Sequence, residues 1–454
     1  MKFLIHSKEG AGAGLAHKIK EEGGDVLIYY EAKNAKNMLS GMVQSVDSFQ
    51  RGISQLDKKT DVILFDMVGQ GRMADMLRVA GYNVLFGSVF ADRMELDRKH
   101  GISVAESAGI QIPTYKEFRD ADSATNFIQR NPGKWVIKPN MNKPPSFTAV
   151  LDGVKQGESH IRWLHNNGLH KDGEAFILQK FIDGIEVSTE MWFQNGEPIY
   201  PCNSTIETKK FLAGDLGPST GCQTSVVFHY PEKEPRIFGQ TFKKILLLFK
   251  MSKYTGPFDI NCIVDRNTQK ANFLEFTPRM GYNAIYGLCA LLRIPISEFL
   301  MELAFGNIGE MPVDKEAFSY TMRVSVPPYP LGIEDEQDFL RDAKLSADRL
   351  IEMDDFIGVY PSDMKKVGGS YYTAGADGYI MDIAARGPSI ELAEAMALEK
   401  FSAIKMMDKQ ARVEDGARRA VRDYEWLSMN RFIYSGGDKR PDHLMIMPME
   451  VANG

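Results

Sequence analysis

The sequence has few cysteines, and none is spaced for metal binding. Its 454 residues contain four, with no Cys-x-x-Cys pair among Cys202, Cys222, Cys262 and Cys289. This excludes a disulfide framework and a cysteine-ligated zinc centre, and it is typical of reduced thiols in a cytoplasmic protein. The histidines form no Ser/His/Asp order or Cys/His pair that would indicate a covalent hydrolase.

Long apolar runs and an excess of positive charge are also missing. The longest apolar runs, such as residues 245–249, are far shorter than the roughly 20 residues that span a membrane. The apolar run in the first six residues is too short for a signal peptide. The net charge of −6 argues against a nucleic-acid-binding surface spread over the protein. We therefore expect a cytoplasmic protein without membrane or nucleic-acid partners.

The first hundred residues alternate short apolar runs with amphipathic segments. Residues 3–5, 26–30, 62–65 and 84–86 read as buried strands, and residues 73–80 as a helix between them. Strands that alternate with helices indicate a parallel sheet. We predict an N-terminal α/β domain over residues 1–96.

The pattern changes after this domain. Helices are predicted at residues 98–108, 240–249 and 390–400, and strands at 135–138, 175–179 and 187–193. Residues 258–264 and 271–276 read as a hairpin. The predicted division is a core domain at 97–310 with an α+β lid near 115–185, a C-terminal α/β domain at 311–440, and a tail at 441–454.

Residues 207–222 contain two lysines and then a glycine-rich segment with Gly214, Gly217, Pro218, Ser219, Thr220 and Gly221. Such a segment can turn backbone N–H groups and hydroxyls toward one point, which suits an anionic ligand. A flexible surface loop is the alternative interpretation.

Two strand ends carry residues suited to a nucleotide. Lys138 ends an apolar strand, where its ammonium could neutralise phosphate oxygens. The segment from Gln179 to Glu186 leaves the next strand, so its backbone could meet an adenine edge and Glu186 could accept from ribose hydroxyls. The alternative interpretations are that Lys138 is an exposed lysine at a strand end and that Glu186 is a solvated acid beside a β-turn.

The predicted hairpin brings two acids together. With its turn at residues 266–268, Asp259 lies opposite Glu275, and Asn261 and Thr277 share their face. Facing carboxylates repel unless a cation lies between them, and Mg²⁺ shared with nucleotide phosphates would resolve this. The alternative is that Asp259 and Glu275 are surface acids that point away from each other. Arg279 would reach the same pocket, or it could simply pair with an acid.

Together these residues resemble the glycinamide ribonucleotide synthetase (phosphoribosylamine–glycine ligase) family of the ATP-grasp superfamily, over nearly the whole chain. Residues 215–221, Asp-Leu-Gly-Pro-Ser-Thr-Gly, are similar to its Asp-Thr-Gly-Pro-Asn-Thr-Gly loop. Residues 275–281, Glu-Phe-Thr-Pro-Arg-Met-Gly, are similar to its Glu-Phe-Asn-x-Arg-Phe-Gly metal motif. Residues 86–98 and 385–393 resemble two further family segments.

The resemblance implies a two-subdomain ATP-grasp core and an amide-forming reaction through an acyl phosphate, with glycine and phosphoribosylamine as substrates. It implies ATP binding by Arg98, Lys138, Gln179, Lys180, Ile182 and Glu186. It implies Mg²⁺ or Mn²⁺ binding by Asp259, Glu275 and Thr277. It implies catalytic roles for Arg279, Lys210 and Asp215, and substrate binding by Gly217, Pro218, Ser219, Thr220, Gly221 and Gly281.

The sequence also departs from the family pattern. Residues 6–12 and 69–71 differ from the N-terminal loops of the family. Three single positions also differ: Ile102 replaces a nucleotide-binding lysine, Thr277 replaces a metal-binding asparagine, and Tyr379 replaces an arginine. Several of these changes fall on the side that handles the amine. A ligase with another amine acceptor, or a non-catalytic ATP-binding regulator, is therefore the alternative to the purine ligase. A monomer or a homodimer is expected.

Overall fold

The N-terminal residues form a parallel sheet flanked by helices. The computed structural model describes residues 1–139, 149–166, 175–231, 234–306, 308–330 and 347–433. The first strands are β1 (Lys2–Ser7), β2 (Asp25–Tyr30), β3 (Gln44–Ser45), β4 (Val62–Phe65) and β5 (Asn83–Leu85). They align in the order β3-β2-β1-β4-β5, all parallel. The helices are α1 (Ala13–Glu21), α2 (Phe49–Ile53), α3 (Gly71–Val79) and α4 (Val89–Leu96). The predicted parallel sheet is confirmed.

Helix α5 (Arg98–Ser107) leads into a small layer with its own core. This lid contains β6 (Tyr115–Phe118), α6 (Ala121–Arg130), β7 (Lys134–Pro139), β8 (Ala149–Asp152), α7 (Val154–Asn166) and β9 (Phe176–Lys180). Its antiparallel sheet has the order β6-β9-β7-β8. Ile128, Trp135, Leu151 and Phe176 are buried between this sheet and its helices. The lid therefore has a hydrophobic core of its own.

A large antiparallel sheet forms the centre of the molecule. Its strands before residue 310 are β10 (Gly184–Gln194), β11 (Glu197–Leu212), β12 (Leu216–His229), β13 (Gly256–Asp265) and β14 (Ala271–Thr277). The neighbouring helices are α8 (Arg236–Gln240), α9 (Leu246–Ser252), α10 (Ala284–Leu291) and α11 (Ile296–Phe305). The helix predicted at 240–249 is wrong as one element, because the backbone breaks at Thr241, with φ −123° and ψ −94°.

The last described region extends the same sheet and adds a smaller one. It contains β15 (Phe318–Ser325), β16 (Ala347–Glu352), β17 (Val359–Pro361), β18 (Met364–Val367), β19 (Ser370–Ala374), β20 (Tyr379–Gly387), α12 (Ile390–Ala403), β21 (Lys405–Met406) and α13 (Gly416–Met429). The large sheet has the order β14-β13-β10-β11-β12-β15-β20-β17, and the smaller one β18-β19-β16-β21. Strands on both sides of residue 310 thus share one sheet, so the domain boundary there stays a prediction. The predicted tail lies outside the described residues.

The two faces of the large sheet differ in polarity. On β10, Val187 and Met191 point into the main apolar core, while Glu186, Ser188 and Glu190 alternate onto the other face. Helix α10 packs over this polar face beside β12, β15 and β20. A polar sheet face enclosed by other elements is where ionisable side chains can gather around a ligand.

Candidate active site

The polar face and the lid meet around Lys138, at the end of β7. Burial and the Arg98 guanidinium lower the pKa of Lys138 to about 8, against the carboxylates of Glu275 and Glu186, which raise it. The structure therefore brings together four of the residues that the sequence predicts for a nucleotide-metal site. They come from the lid, α5, β10 and β14.

Lys209 lies at the centre of this group, although it was not among the site residues predicted from the sequence. Its Nζ is 2.6 Å from Glu186 Oε1 and 3.7 Å from Glu207 Oε2. Burial opposes the charged ammonium, but these carboxylates and Glu275 outweigh it and raise the pKa of Lys209 well above its ordinary value. In turn, Lys209 holds the pKa of Glu186 below its ordinary value. Acidic and basic side chains therefore lie next to one another in this cluster, and their charges offset each other.

The sequence contained a signal for Lys209. Residues two apart on a strand share a face, so Glu207 and Lys209 belong together, while Lys210 takes the other side. Among the described residues, the Lys210 side chain forms no ion pair with these acids, and its carbonyl accepts from Arg412 Nη1 at 3.0 Å. The structure thus places the adjacent Lys209, rather than the predicted Lys210, against the acids of the site.

The predicted register of the β13–β14 hairpin is wrong. Asp259 pairs with Thr277 and Asn261 with Glu275, so the two acids are not directly opposite. Two features cause the shift. The turn is longer than predicted, with Gln269 at φ 54°, and a bulge between Asn261 and Cys262 displaces the partner strand by one more residue.

Asp259 instead faces another acid, Glu190, across the β10–β13 ladder. Burial, and then Glu190, raise the pKa of Asp259 well above its ordinary value, and its Oδ1 is buried without a hydrogen-bond partner. Burial raises the pKa of Glu190 to about 7, although the Trp192 indole N–H donates to it at 3.0 Å. Two facing buried acids need a shared proton or a cation.

The predicted metal residues would suit an ion that is shared with phosphates. Glu275 is exposed, and the Thr277 hydroxyl accepts from Asn261 Nδ2 at 3.0 Å. In the described ranges no three His, Cys, Asp or Glu side chains form a metal cage. Mg²⁺ commonly takes only one or two carboxylates and completes its shell with phosphates and water. Glu275 is therefore the solvent-accessible carboxylate of the predicted metal site. The Asp259 carboxylate lies on the neighbouring strand β13, two residues from the residue that pairs with Glu275.

Arg279 is buried beside these residues and is paired. Its Nε and Nη2 each lie 3.0 Å from Glu95 Oε1, and its guanidinium stacks on Tyr282 at 4.8 Å. Tyr282, which follows Gly281, lies in turn against Gly221. The alternative in which Arg279 pairs with an acid is thus observed, with Glu95 at the end of the N-terminal region as the partner.

The glycine-rich segment is part of a long hairpin and not a flexible loop. Strand β12 begins at Leu216, and a short turn at Ala213–Asp215 joins it to β11. Arg412 and Arg419 bind the Asp215 carboxylate at 3.1 and 2.9 Å, and Asp415 accepts from Gly214 N at 2.9 Å. Asp215 is therefore committed to an anchor on the C-terminal region, which does not favour the predicted catalytic role.

The remaining predicted substrate residues belong to strand β12 of this hairpin. Thr220 Oγ1 donates to the Lys209 carbonyl at 3.0 Å, and Ser219 pairs with Lys210. Gly217 and Gly221 have φ of 74° and 79°, values that favour glycine. Gly217 and Pro218 lie at the exposed tip, so Thr220 and Gly221 are the members closest to the charged cluster.

A cavity of about 700 Å³ opens where the lid meets the large sheet. Its lining includes two predicted nucleotide residues, Lys180 and Ile182, with Phe181 between them. Predicted residue Gln179 is buried on the adjacent strand β9. The cavity lies on the β9–β10 connection, to which the sequence assigns adenine binding.

The first strand-to-helix turn is occupied by a side chain of the protein. Asp66, after β4, accepts from Gly12 N at 2.8 Å, Lys8 N at 3.1 Å and Ser7 Oγ at 2.5 Å. Its carboxylate thus fills the N-terminal end of α1, where a bound anion would otherwise meet free N–H groups. Burial raises the pKa of Asp66 to about 6.

The resemblance implies an arginine at the position of Tyr379. The structure instead places an arginine of the neighbouring strand β15 beside this tyrosine. The Arg323 guanidinium of β15 lies 3.9 Å from the centre of the Tyr379 ring. The sequence signal for this neighbour was absent, because the pairing of β15 with β20 joins residues far apart in the chain.

Comparison with known proteins identifies the central part of the chain. Residues 97–282 match the model of the ATP-grasp (A) domain of phosphoribosylglycinamide synthetase. This part of the chain is therefore similar to the ATP-grasp domain of that family. The predicted resemblance is thereby confirmed, and the ATP-grasp domain includes the charged cluster around Lys138 and Lys209.

Relatives cover more of the chain at low identity. It is 22% identical to the phosphoribosylamine–glycine ligase of Ralstonia nicotianae over 327 residues, which are 69% of this chain and 76% of that protein. It is 22% identical to the Corynebacterium ammoniagenes enzyme of the same name over 356 residues, or 76% and 79%.

Solved structures confirm the fold around the ATP-grasp domain. The phosphoribosylamine–glycine ligase of Thermotoga maritima has a TM-score of 0.68 at 16% identity and covers 91% of this chain and 100% of its own. The biotin carboxylase domain of Hydrogenobacter thermophilus 2-oxoglutarate carboxylase, in complex with MgADP and bicarbonate, has a TM-score of 0.63 at 12% identity and covers 96% and 99%. The predicted α/β class is confirmed. In the described part of the chain, each helix is too short or too polar to cross a membrane.

Proposed function

We propose that this protein is an ATP-dependent carboxylate–amine ligase that joins glycine to 5-phosphoribosylamine and forms glycinamide ribonucleotide for purine biosynthesis. The observation that carries the proposal is the cluster of Lys138, Lys209, Glu186 and Glu275 beside the hairpin of residues 197–229. The ATP-grasp domain and the names of the relatives support the same reaction.

The reaction has two steps. A glycine carboxylate oxygen attacks the γ-phosphorus, and the bond between the γ-phosphorus and the oxygen of the β-phosphate breaks. The products of this step are ADP and an acyl phosphate. The amine nitrogen then attacks the acyl carbon, inorganic phosphate leaves, and the nitrogen loses a proton. Little covalent chemistry falls to the protein, which supplies positioning and charge neutralisation.

The charged cluster suits these tasks. Lys138 and Arg98 would neutralise phosphate oxygens, and Glu186 would accept from the ribose while its pairing with Lys209 fixes its orientation. Glu275, with Thr277 and Asp259, would hold Mg²⁺ or Mn²⁺, and the ion would supply positive charge that offsets the charge of the phosphates. Arg279, held by Glu95, would face the acyl phosphate, and Thr220, Gly221 and Gly281 would line the substrate side. We further propose that the protein acts in the cytoplasm, as a monomer or homodimer.

The test is ADP release from Mg-ATP with glycine, with and without freshly generated phosphoribosylamine. We expect release to depend on both substrates and to yield glycinamide ribonucleotide. ADP release at background with all substrates present would contradict the proposal. A non-catalytic regulator would also show no turnover, whereas turnover that Glu275→Ala abolishes would exclude that alternative.

One observation favours a second candidate, a ligase for a different amine. The Asp66 carboxylate accepts from the Lys8 and Gly12 N–H groups at the α1 turn, so these two groups are not available to an acceptor phosphate. In that case the same assay would show glycine-dependent ADP release that other amines, but not phosphoribosylamine, stimulate.

A further inference from the structure

Glu207 is an acid of the charged cluster to which the proposed function assigns no ligand. It lies on β11, two residues before Lys209. Its side chain is 18% exposed, against 34% for Lys209 and 35% for Glu186. Solvent therefore reaches all three side chains, and so can a small ligand.

The negative charge of Glu207 has no close partner in the described part of the chain. Lys209 Nζ is 3.7 Å from Glu207 Oε2, beyond hydrogen-bond distance, because the same ammonium is held 2.6 Å from Glu186 Oε1. Burial raises the pKa of Glu207 above its ordinary value, although Lys209 opposes this effect. A second cation beside Glu207 would stabilise its charged form.

The row of side chains that crosses the sheet at Glu207 does not supply this cation. Ser225 of β12 lies directly opposite Glu207, and Thr321 of β15 lies opposite Ser225. Directly opposite residues project from the same face of a sheet. Both hydroxyls are buried, and neither has a hydrogen-bond partner within the described ranges. The row beside Glu207 is thus polar but neutral, so a further cation would come from a ligand.

Glu207 also lies near the residue that the proposed function places at the acyl phosphate. The Arg279 guanidinium is close enough to lower the pKa of Glu207. In an amino acid the ammonium nitrogen is only about 2.5 Å from the carboxyl carbon, so the groups that bind its two ends must be neighbours. Arg279 and Glu207 meet this condition with opposite charges.

We propose that Glu207 binds the ammonium group of the glycine substrate and so makes the ligase specific for an amino acid over carboxylic acids without an amino group. This inference rests on the proposed ligase function. With nucleotide and metal bound, Glu275 would hold the ion, and Glu186 would keep its pairing with Lys209. Glu207 is then the acid of the cluster that remains for the substrate. An ammonium has three N–H donors and forms charge-assisted hydrogen bonds with a carboxylate.

The experiment compares glycine with glycolate, which carries a hydroxyl group in place of the ammonium, as ligands of the full chain with Mg²⁺ and a non-hydrolysable ATP analogue. Isothermal titration calorimetry measures both Kd values, and inhibition by glycolate in the ADP-release assay gives an independent value. The variants are Glu207→Gln and Glu207→Asp. Glu197→Gln is the control, because Glu197 is an exposed residue of the same strand β11. Thermal unfolding establishes that each variant is folded.

We expect the wild type and Glu197→Gln to bind glycine at least about 30-fold more tightly than glycolate. Glu207→Gln keeps the size of the side chain but removes its charge, so this preference should fall below about threefold, with Glu207→Asp between the two. The KM for glycine should rise by at least about tenfold in Glu207→Gln while the KM for ATP stays within about threefold, a division that general damage to the fold would not produce.

Two results would overturn the inference. One is a preference for glycine over glycolate that Glu207→Gln retains, or that the wild type lacks. The other is a raised KM for ATP or phosphoribosylamine with unchanged glycine binding, which would assign Glu207 to another substrate. Glycine binding that depends on Glu207, without turnover of phosphoribosylamine, would instead contradict only the proposed reaction, so the two failures are distinguishable.

Discussion

The Lys209 ammonium lies 2.6 Å from the Glu186 carboxylate, so a residue of the substrate hairpin directly contacts the residue assigned to the nucleotide ribose. The contact joins β11 to β10 on the polar face of the large sheet. We propose that ATP binding and the position of the hairpin are coupled through this ion pair. Arg279 and Glu95 make a similar connection to the N-terminal region.

The first prediction separates the two adjacent lysines. Lys209→Met removes the cation from between Glu186, Glu207 and Glu275 and leaves three acids in mutual repulsion, so we expect kcat/KM to fall by at least about 100-fold. Lys210→Met is the matched control and should retain activity within a few-fold. The comparison of kcat/KM for ADP release measures both, and the reverse order would restore the original assignment to Lys210.

The second prediction concerns the pH dependence of ATP binding. The lowered pKa of Lys138, about 8, means that its neutral amine predominates in the free protein above pH 8, whereas phosphate favours the ammonium. Binding then takes up a proton, and affinity falls as pH rises through 8. We expect the Kd for Mg-ATP to increase by about tenfold from pH 8 to 9.5. Lys138→Arg, which stays charged, should flatten this profile, and an equally steep profile in that variant would assign the effect to another group.

The third prediction addresses the metal. Glu275→Gln keeps the shape of the open carboxylate but removes its charge, so we expect turnover to fall by about 100-fold or more and nucleotide affinity by less than about tenfold. The exposed residue Glu298 of α11 provides the control as Glu298→Gln, which should change neither. A titration of Mg²⁺ and then Mn²⁺ in the ADP-release assay also establishes which ion the site uses. Equal activity of the Glu275 and Glu298 variants would show that the metal binds elsewhere.

The fourth prediction concerns the anchor of the hairpin tip. The Arg412 side chain is 2% exposed and binds Asp415, Asp215 and the Lys210 carbonyl. Arg412→Met removes all of these hydrogen bonds and leaves Asp215 held by Arg419 alone, so we expect the free energy of unfolding to fall by about 2 to 4 kcal/mol. Urea unfolding of this variant beside Arg418→Met, a change at an exposed neighbour on α13, measures the loss. Similar midpoints for the two variants would mean that the tip is not held through Arg412.

The structure brings the predicted nucleotide residues together more closely than the predicted substrate residues. Lys138, Glu186 and Glu275 each lie near the end of an apolar strand, and the positions of strand ends follow from local patterning. The register of the β13–β14 hairpin was missed because a longer turn and a bulge change the pairing without an apolar signal. Lys209 was missed because a choice between Lys209 and Lys210 requires that residues 207–210 be recognised as part of a strand, and their sequence does not show this.

The amino-acid sequence by itself determined the parallel N-terminal sheet, the order of the strands that carry the nucleotide residues, and the motifs that resemble an ATP-grasp ligase. These features depend on short-range periodicity and on residue types that a phosphate or a cation requires. Only the tertiary structure decided that Lys209 pairs with Glu186, that Asp66 fills the α1 turn, and that Arg323 lies over Tyr379. Each of these contacts joins segments that are distant in the chain, and their geometry depends on strand pairing and burial, which local sequence patterns do not specify.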